Sequence, residues 1–338
     1  MRKFPTAARI LCSGIFFALA AASSAQAQAW LTFDVNGSTA VHPTAMIAGN
    51  TIVGYYLNSG SSTYSAFIRT SDGTVSAFDY YDDGSTKALS ANKGGDTAGV
   101  VIDSSFNTQA FVRTAGGQFT VFSVNGARFS EATGITDKGW IAGDYTDPST
   151  SKQMGFIRKP NGDITTFASP DGSNLAVLGI NNKNSIIGTY GNHGYVRDSQ
   201  GNMTTFRITA NYVVPVAINT SGVIAGYYAD TSGKIHGFVR PADGGNPKGF
   251  NPPVYTGVLE VTGMNDDSTV VGWSIDAQGL PHGFAVNADF KFATLNAPQG
   301  TNGTEIYAIG PDGKLAGYYH DANNDTHAVR ANAAVTGF

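Results

Sequence analysis

Cysteine is all but absent. The single one, Cys12, lies in the first 27 residues, and the preceding Arg9-Ile10-Leu11 lacks the small residue that a lipidation signal needs. The chain beyond it has no thiol, which excludes disulfides, zinc–thiolate sites and cysteine nucleophiles. Basic residues are also scarce. Arg2, Lys3 and Arg9 take three of the 21 Lys and Arg, so the rest of the chain carries 18 basic against 25 acidic residues, a net of −7. Nucleic acid and anionic membrane both need a basic surface and are excluded as main partners. After Ala22 no apolar run is long enough for membrane insertion. No Gly-x-Ser-x-Gly elbow, P-loop, dinucleotide fingerprint, zincin motif or EF-hand loop occurs, and no cofactor is implied.

What is present at the start is a leader. A positive segment is followed by the apolar run from Ile10 to Ala22 and by Ala25-Gln26-Ala27, with Ala27-Gln28-Ala29 as a second cleavage site. This reads as a secretory signal peptide over residues 1–27, the apolar run being too short and weakly flanked for a membrane anchor. The expected location is secreted or periplasmic, with residues 28–338 as one soluble domain. That segment is rich in Gly, Ser, Thr and Asn, as suits many short strands joined by turns.

A repeat of roughly 45 residues runs through it. Its anchor is a short strand ending in glycine and often tyrosine, as in Ile52-Val53-Gly54-Tyr55-Tyr56, Ile141-Ala142-Gly143-Asp144-Tyr145 and Leu315-Ala316-Gly317-Tyr318-Tyr319. The seven glycines, Gly54, Gly99, Gly143, Gly188, Gly226, Gly272 and Gly317, are 45, 44, 45, 38, 46 and 45 residues apart. A small-apolar-Asn element precedes the anchor (Gly179-Ile180-Asn181). A Phe-x-Arg strand follows it (Ala110-Phe111-Val112-Arg113), then a strand ending in Phe (Ile164-Thr165-Thr166-Phe167). Turns such as Asp72-Gly73 and Asn161-Gly162 separate the last two pieces. Four short strands per repeat, termed a to d, with no helical period between them predict an all-β, seven-bladed β-propeller of four-stranded antiparallel blades. A solenoid of stacked β-coils is the alternative. Phe33 precedes Gly54 by 21 residues, as Phe78 precedes Gly99, so Leu31-Thr32-Phe33 is expected as a strand d that completes the last blade. Val335-Thr336-Gly337-Phe338 competes for that place.

These Gly-Ile-Asn, Ile-x-Gly-Tyr and His-Gly-Phe-x-Arg pieces resemble the HAF family of extracellular repeat proteins, over essentially the whole segment after the leader. The resemblance implies an exported repeat protein. It brings no catalytic residues and no substrate. The family's His-Ala-Phe is mostly His-Gly-Phe here, as at His236 and His282, and histidine is missing from the first three repeats.

Features shared by all copies are expected to serve packing: the anchor glycines for close approach of neighbouring sheets, the strand-c Phe and the Tyr after the glycine as inter-blade core. Asp103, Asp147, Asp230, Asp276 and Asp321 are expected to cap the b–c turns. The histidines at 193, 236, 282 and 327 are read as structural rather than as metal ligands, and no metal site is predicted. Arg69, Arg113, Arg158, Arg197, Arg240 and Arg330 are read as blade-edge donors, or alternatively as one ligand site per blade, as in multivalent lectins.

Differences between copies point to a site. Twelve residues before each anchor glycine stand His42, Lys87, Glu131, Ala176, Val214, Glu260 and Glu305. By fold analogy the start of strand a lies at the rim of the central channel. There His42, Lys87, Glu131, Glu260 and Glu305 form either a mixed-charge ring able to bind a polar ligand or do acid–base chemistry, or solvated strand ends that never meet. Directly after the glycine stand Tyr55, Val100, Asp144, Thr189, Tyr227, Trp273 and Tyr318. Tyr55, Tyr227, Trp273 and Tyr318 are candidate sugar-stacking residues if exposed and core if buried. Blade four has a b–c connection of only Gly191-Asn192, which should lower the rim. Two functions follow: a binding or scaffold module for a glycan or other extracellular polymer, or a polysaccharide lyase or glycoside hydrolase using the ring residues.

Overall fold

The structure, a computed structural model, describes residues 30–331 except 36, 39, 209 and 210. The leader over residues 1–27 and the rival closing strand at residues 335–338 lie outside the described residues. Among the described residues the strands form seven four-stranded antiparallel sheets arranged around a common axis, a seven-bladed β-propeller. Each strand a touches strand a of the next blade, and Thr304–Ile309 of blade 7 touches Val41–Ile47 of blade 1, so the inner strands close into a ring. The solenoid alternative is excluded by that closure.

In six blades the strands follow chain order from a to d. The seventh consists of Thr304–Ile309, Leu315–His320, Thr326–Ala331 and, as its outer strand, Trp30–Phe33. Trp30 pairs with Ala331 and Phe33 with Ala328. The N-terminal strand thus closes the ring, as its spacing predicts.

Strand a shows why its residues divide into two sets. In Ser130–Ile135, Leu175–Ile180, Leu259–Met264 and Thr304–Ile309 the first four residues alternate buried and half-buried. The buried set (Ala132, Val177, Val261 and Ile306 among them) packs between blades, and the half-buried set faces the channel. The apolar core is accordingly split into layers between neighbouring blades. One layer joins Phe33, Val41 and Phe67 across blades 7 and 1. Another joins Ile187, Phe206, Val213 and Phe238 across blades 4 and 5.

The anchor glycines differ from expectation. They serve close approach within a blade, not between blades. Every a–b pair carries a β-bulge at the same place, for example between Ala132 and Gly134 in blade 3 and between Ile306 and Ala308 in blade 7. Each bulge turns a strand-a carbonyl towards the facing glycine. A Cβ on Gly143 would lie 1.8 Å from the Glu131 carbonyl oxygen, and one on Gly54 2.1 Å from that of His42. Only glycine fits beneath.

The tyrosine expectation also needs correcting. The inter-blade core residue is the second after the glycine (Tyr56, Tyr145, Tyr190 and Tyr319, all buried), not the first. The first faces the channel, because neighbouring strand residues point to opposite faces.

The arginines donate at the blade edge as expected, Arg240 to the Gly244 carbonyl at 3.1 Å and Arg69 to that of Thr70 at 3.3 Å, and they also reach the neighbouring blade. Each described pair seats a strand-c guanidinium over the Phe that ends strand d of the preceding blade: Arg69 over Phe33 at 4.9 Å, Arg113 over Phe78 at 4.4 Å, Arg158 over Phe122 at 5.0 Å, Arg197 over Phe167 at 4.6 Å and Arg240 over Phe206 at 4.9 Å. They are inter-blade clasps.

The turn aspartates behave as expected. The Asp276 Oδ1 accepts the backbone N–H groups of Gln278 and Leu280, and Asp230 does the same for Ser232 and Lys234. Their other oxygens meet the repeated histidines. His236 Nε2 lies 3.0 Å from Asp230 Oδ2 while its Nδ1 lies 2.8 Å from Asn251, just past strand d. His282 repeats the bridge between Asp276 and Asn296. These histidines tie the b–c turn to the end of strand d.

Candidate functional site

The two variable positions found separately in the sequence are cross-strand partners. His42 pairs with Tyr55, Lys87 with Val100, Glu131 with Asp144, Ala176 with Thr189, Val214 with Tyr227, Glu260 with Trp273 and Glu305 with Tyr318. They belong to the channel-facing set near the b–c and d–a connections. The bulge residues, two places further along strand a, form a second tier below: Thr44, Leu89, Thr133, Leu178, Val216, Thr262 and Tyr307.

Around the mouth the chemistry is segregated. Glu260, Glu305, His42, Lys87 and Glu131 stand in consecutive blades 6, 7, 1, 2 and 3 and feel one another's charge. Glu260 is perturbed by Glu305, His42 by Lys87 and Glu305, and Lys87 by Glu131. Blades 4 and 5 are apolar in both tiers, through Ala176, Leu178, Val214 and Val216. The mouth therefore has a polar arc and an apolar wall.

Each ionisable group has its own environment. The Glu131 carboxyl is pushed up to about 7, by burial first and then by the charge of Asp144, with Lys87 opposing. Among the described residues no donor hydrogen-bonds that carboxyl. Its neighbour Asp144 is buried and fixed: it accepts from the Gln153 amide at 2.7 Å and from the backbone N–H of Val177 in the next blade at 3.0 Å. Burial raises Asp144 as well, against those hydrogen bonds. Lys87 Nζ sits 4.0 Å above the Tyr64 ring and 5.1 Å above that of Tyr55. Burial pulls its ammonium down while Glu131 supports it. His42 is lowered by burial and by Lys87, against Glu305, and its ring lies 4.9 Å from that of Tyr55 and 6.0 Å from that of Tyr318.

Glu305 is the best-anchored member. Its Oε2 accepts the hydroxyls of Tyr318 at 2.8 Å and Tyr307 at 2.9 Å, and its Oε1 faces His320 Nε2 at 3.4 Å. Burial acts to raise this carboxyl, but the hydrogen bonds from His320, Tyr318 and Tyr307 outweigh it and hold it below the ordinary glutamate range. Glu260 has no such shell. Burial and the Glu305 charge raise it, with the Trp273 indole across the strand pair opposing them, and among the described residues no cation lies within salt-bridge distance.

A cavity of about 260 Å³ opens beside Glu260. Its wall comes from Leu178, Val214, Pro215, Val216, Tyr227, Val261 and Thr262, with Glu260 and Tyr307 on the polar side. Of the four proposed stacking residues, Tyr227 lines this cavity and Tyr55 packs under Lys87. Tyr318 is spent on Glu305 and is 8% exposed. Trp273 lies across from Glu260 and is half-buried. Blade 4 has the short b–c link expected, two residues between Ile186–Tyr190 and His193–Arg197.

The sequence reading missed Tyr307, His320, Tyr64 and the pairing role of Asp144. Tyr307 was within reach: ten residues before each anchor glycine is the bulge position, and it varies between copies as the ring position does. Among the described residues no three His, Asp or Glu side chains are placed to share a metal ion.

No family model matches the chain, and no curated protein does. Solved structures do. Virginiamycin B lyase from Staphylococcus aureus aligns over 90% of this chain and 99% of its own, with a TM-score of 0.61 and 12% identity. Its catalytically inactive variant with quinupristin gives 0.62 and 13% over the same shares. The β-propeller domain of the trilobed protease from Pyrococcus furiosus, which has an open velcro topology, gives 0.62 and 10% over 87% of this chain and 95% of its own. At these identities the likeness is one of fold. In the present chain the outer strand of blade 7 comes from the N-terminal side and closes the ring.

Proposed function

We propose that this propeller is an exported recognition module that takes one ligand at the channel mouth, the end of a glycan or other extracellular polymer. The observation that carries the reading is the contiguous arc of five ionisable side chains in blades 6, 7, 1, 2 and 3, set against an apolar wall in blades 4 and 5. A sugar has the same division, with hydroxyls on its rim and C–H groups on its faces. A multivalent lectin reading has lost its support, because the repeated arginines are engaged between blades. The leader and the resemblance to HAF repeats support export.

One observation favours a second reading, acid–base turnover as in a polysaccharide lyase or glycoside hydrolase. Glu131 is poised near neutrality, is free of hydrogen bonds among the described residues and has Lys87 beside it. A general acid or base works best when its pKa lies near the working pH. In that reading Glu131 moves the proton and Lys87 steadies developing negative charge. Among the structural neighbours, virginiamycin B lyase carries a lyase name on the same fold.

Glycan-array binding and polysaccharide depletion separate the readings, with the wild type beside a Glu131→Gln/Glu260→Gln/Glu305→Gln variant. Binding without product, weakened in the variant, supports the recognition module. Product formation abolished in the variant supports the enzyme. Binding that the triple variant leaves untouched refutes the channel mouth as the site.

A further inference from the structure

The cavity beside Glu260 has a chemical preference that the ring as a whole does not reveal. Val214, Pro215, Val216 and Tyr227 line it together with Glu260, Thr262 and Tyr307. Glu260 is a half-buried carboxylate without a cation within salt-bridge distance among the described residues. The nearest charge that perturbs it is Glu305, which is negative and already committed to Tyr307, Tyr318 and His320. The one ring lysine is elsewhere: Lys87 sits two blades beyond Glu305, over Tyr64 and next to Glu131. His42 lies between, and burial and Lys87 both disfavour its cationic form. The blade 6 and 7 side of the mouth therefore presents uncompensated negative charge to a cavity whose other lining residues, Val214, Pro215, Val216, Tyr227, Thr262 and Tyr307 among them, carry no charge. Like charges in a half-buried site repel strongly, and an isolated buried carboxylate is stabilised by a cation brought to it.

Volume narrows the ligand further. About 260 Å³ falls just below the range of about 300–1,000 Å³ usual for drug-sized ligands. It suits one sugar unit and not a run of them. The cavity is lined by the second tier as well as the first, through Leu178, Val216, Thr262 and Tyr307, so a ligand entering from the mouth is met by side chains on its inner side, which favours a chain end over an internal unit.

Resting on the proposed glycan reading, we infer that this cavity takes a terminal amino sugar with a free, positively charged amine, its ammonium on Glu260 and its carbon face on Tyr227 and the Val214–Pro215–Val216 wall. N-acetylation would remove the charge and add bulk in a small space. A uronic acid would bring a second carboxylate to Glu260.

Isothermal titration of the purified protein tests this with four probes: a glucosamine tetramer, its N-acetylated counterpart, a galacturonate tetramer and 1,6-diaminohexane. The glucosamine tetramer is expected to bind one to one and most tightly. Glu260→Gln should weaken it about tenfold or more, the size of a lost charge-assisted hydrogen bond. Val214→Lys, which puts a cation in the wall at a channel-facing position, should abolish that binding and admit the galacturonate tetramer. The second variant keeps the test decisive if the first folds poorly. Equal or tighter binding of the acetylated or acidic oligomer overturns the inference and leaves the glycan reading standing. Diaminohexane binding as tightly as the glucosamine tetramer overturns the assignment to a sugar. Glucosamine binding indifferent to both substitutions overturns the cavity as its site. No binding of any oligomer overturns the inference as well, and the glycan reading then stands or falls on the glycan array alone.

Discussion

Replacing Glu131 with glutamine should make the protein more stable at pH 8 while changing little at pH 4. The carboxyl ordinarily titrates at 4.5, and here burial and the Asp144 charge push it up to about 7. Between those two values the folded protein holds a proton that the unfolded chain has released. Folding stability therefore falls as pH rises through this window, and the loss is complete above the folded pKa. At about 1.4 kcal/mol per pH unit, the span corresponds to about 3 kcal/mol. Glutamine keeps the shape and removes the titration. The variant should thus gain up to about 3 kcal/mol on the wild type between pH 4 and pH 8, of the order of 5 °C in melting temperature for a domain of this size. Urea unfolding of both proteins at half-unit pH steps measures the difference. Asp144 contributes a slope of its own, but it does so in both proteins, so only the gap between the curves matters. Parallel curves across the window would refute the claim that Glu131 sits in a desolvated, carboxylate-bearing corner of the channel.

Three further outcomes follow from the scaffold. Gly143→Ala should cost more than about 3 kcal/mol, because the new methyl meets a backbone carbonyl that the bulge cannot withdraw, and chemical denaturation reads the loss directly. Deleting residues 30–33 removes the outer strand of blade 7 and exposes the edge of Thr326–Ala331; the melting temperature should drop by many degrees, and little change would show that the ring does not depend on this closure. Arg113→Ala should lose about 1–2 kcal/mol through the Phe78 contact, with ligand binding untouched, whereas a binding defect at unchanged stability would return the arginines to the list of ligand contacts.

Much of the fold was legible because it is written seven times. The anchor glycines, the hairpin turns and the 21-residue interval from Phe33 to Gly54 each reflect a local backbone requirement that recurs with its residues. The job of the glycine was not legible. Whether a Cβ is excluded by a neighbouring sheet or by a carbonyl in the same blade depends on the bulge, and a bulge leaves no residue signature when its extra position is Thr, Leu, Val or Tyr by turns. The same gap hid Tyr307. The donor role of the arginines was legible, but their aromatic contact was not: the ring each covers is a Phe some 30 to 40 residues earlier in the chain, in the previous blade, and pairing across blades cannot be read within one repeat. Convergence of the five ring residues could be posed from spacing alone but not decided, since it requires the radius and closure of the ring.

The asymmetry of the mouth is the feature most in need of a cause. Packing constrains the buried set of strand a, where Ala132, Val177, Val261 and Ile306 alternate with the ring positions and fill the layers between blades. It constrains the ring positions hardly at all. Each lies on the face that the core does not use, and its backbone is fixed by the bulge over the anchor glycine whatever side chain it carries. Two of the seven positions carry alanine and valine, in blades 4 and 5, on the same backbone. Burying three carboxylates in the remaining blades, two of them with raised pKa values, works against stability. A scaffold free to place small apolar residues all round has instead placed ionisable groups in one unbroken arc and apolar ones in another. The fold gives no reason for that division, whereas a ligand with one polar and one apolar side does.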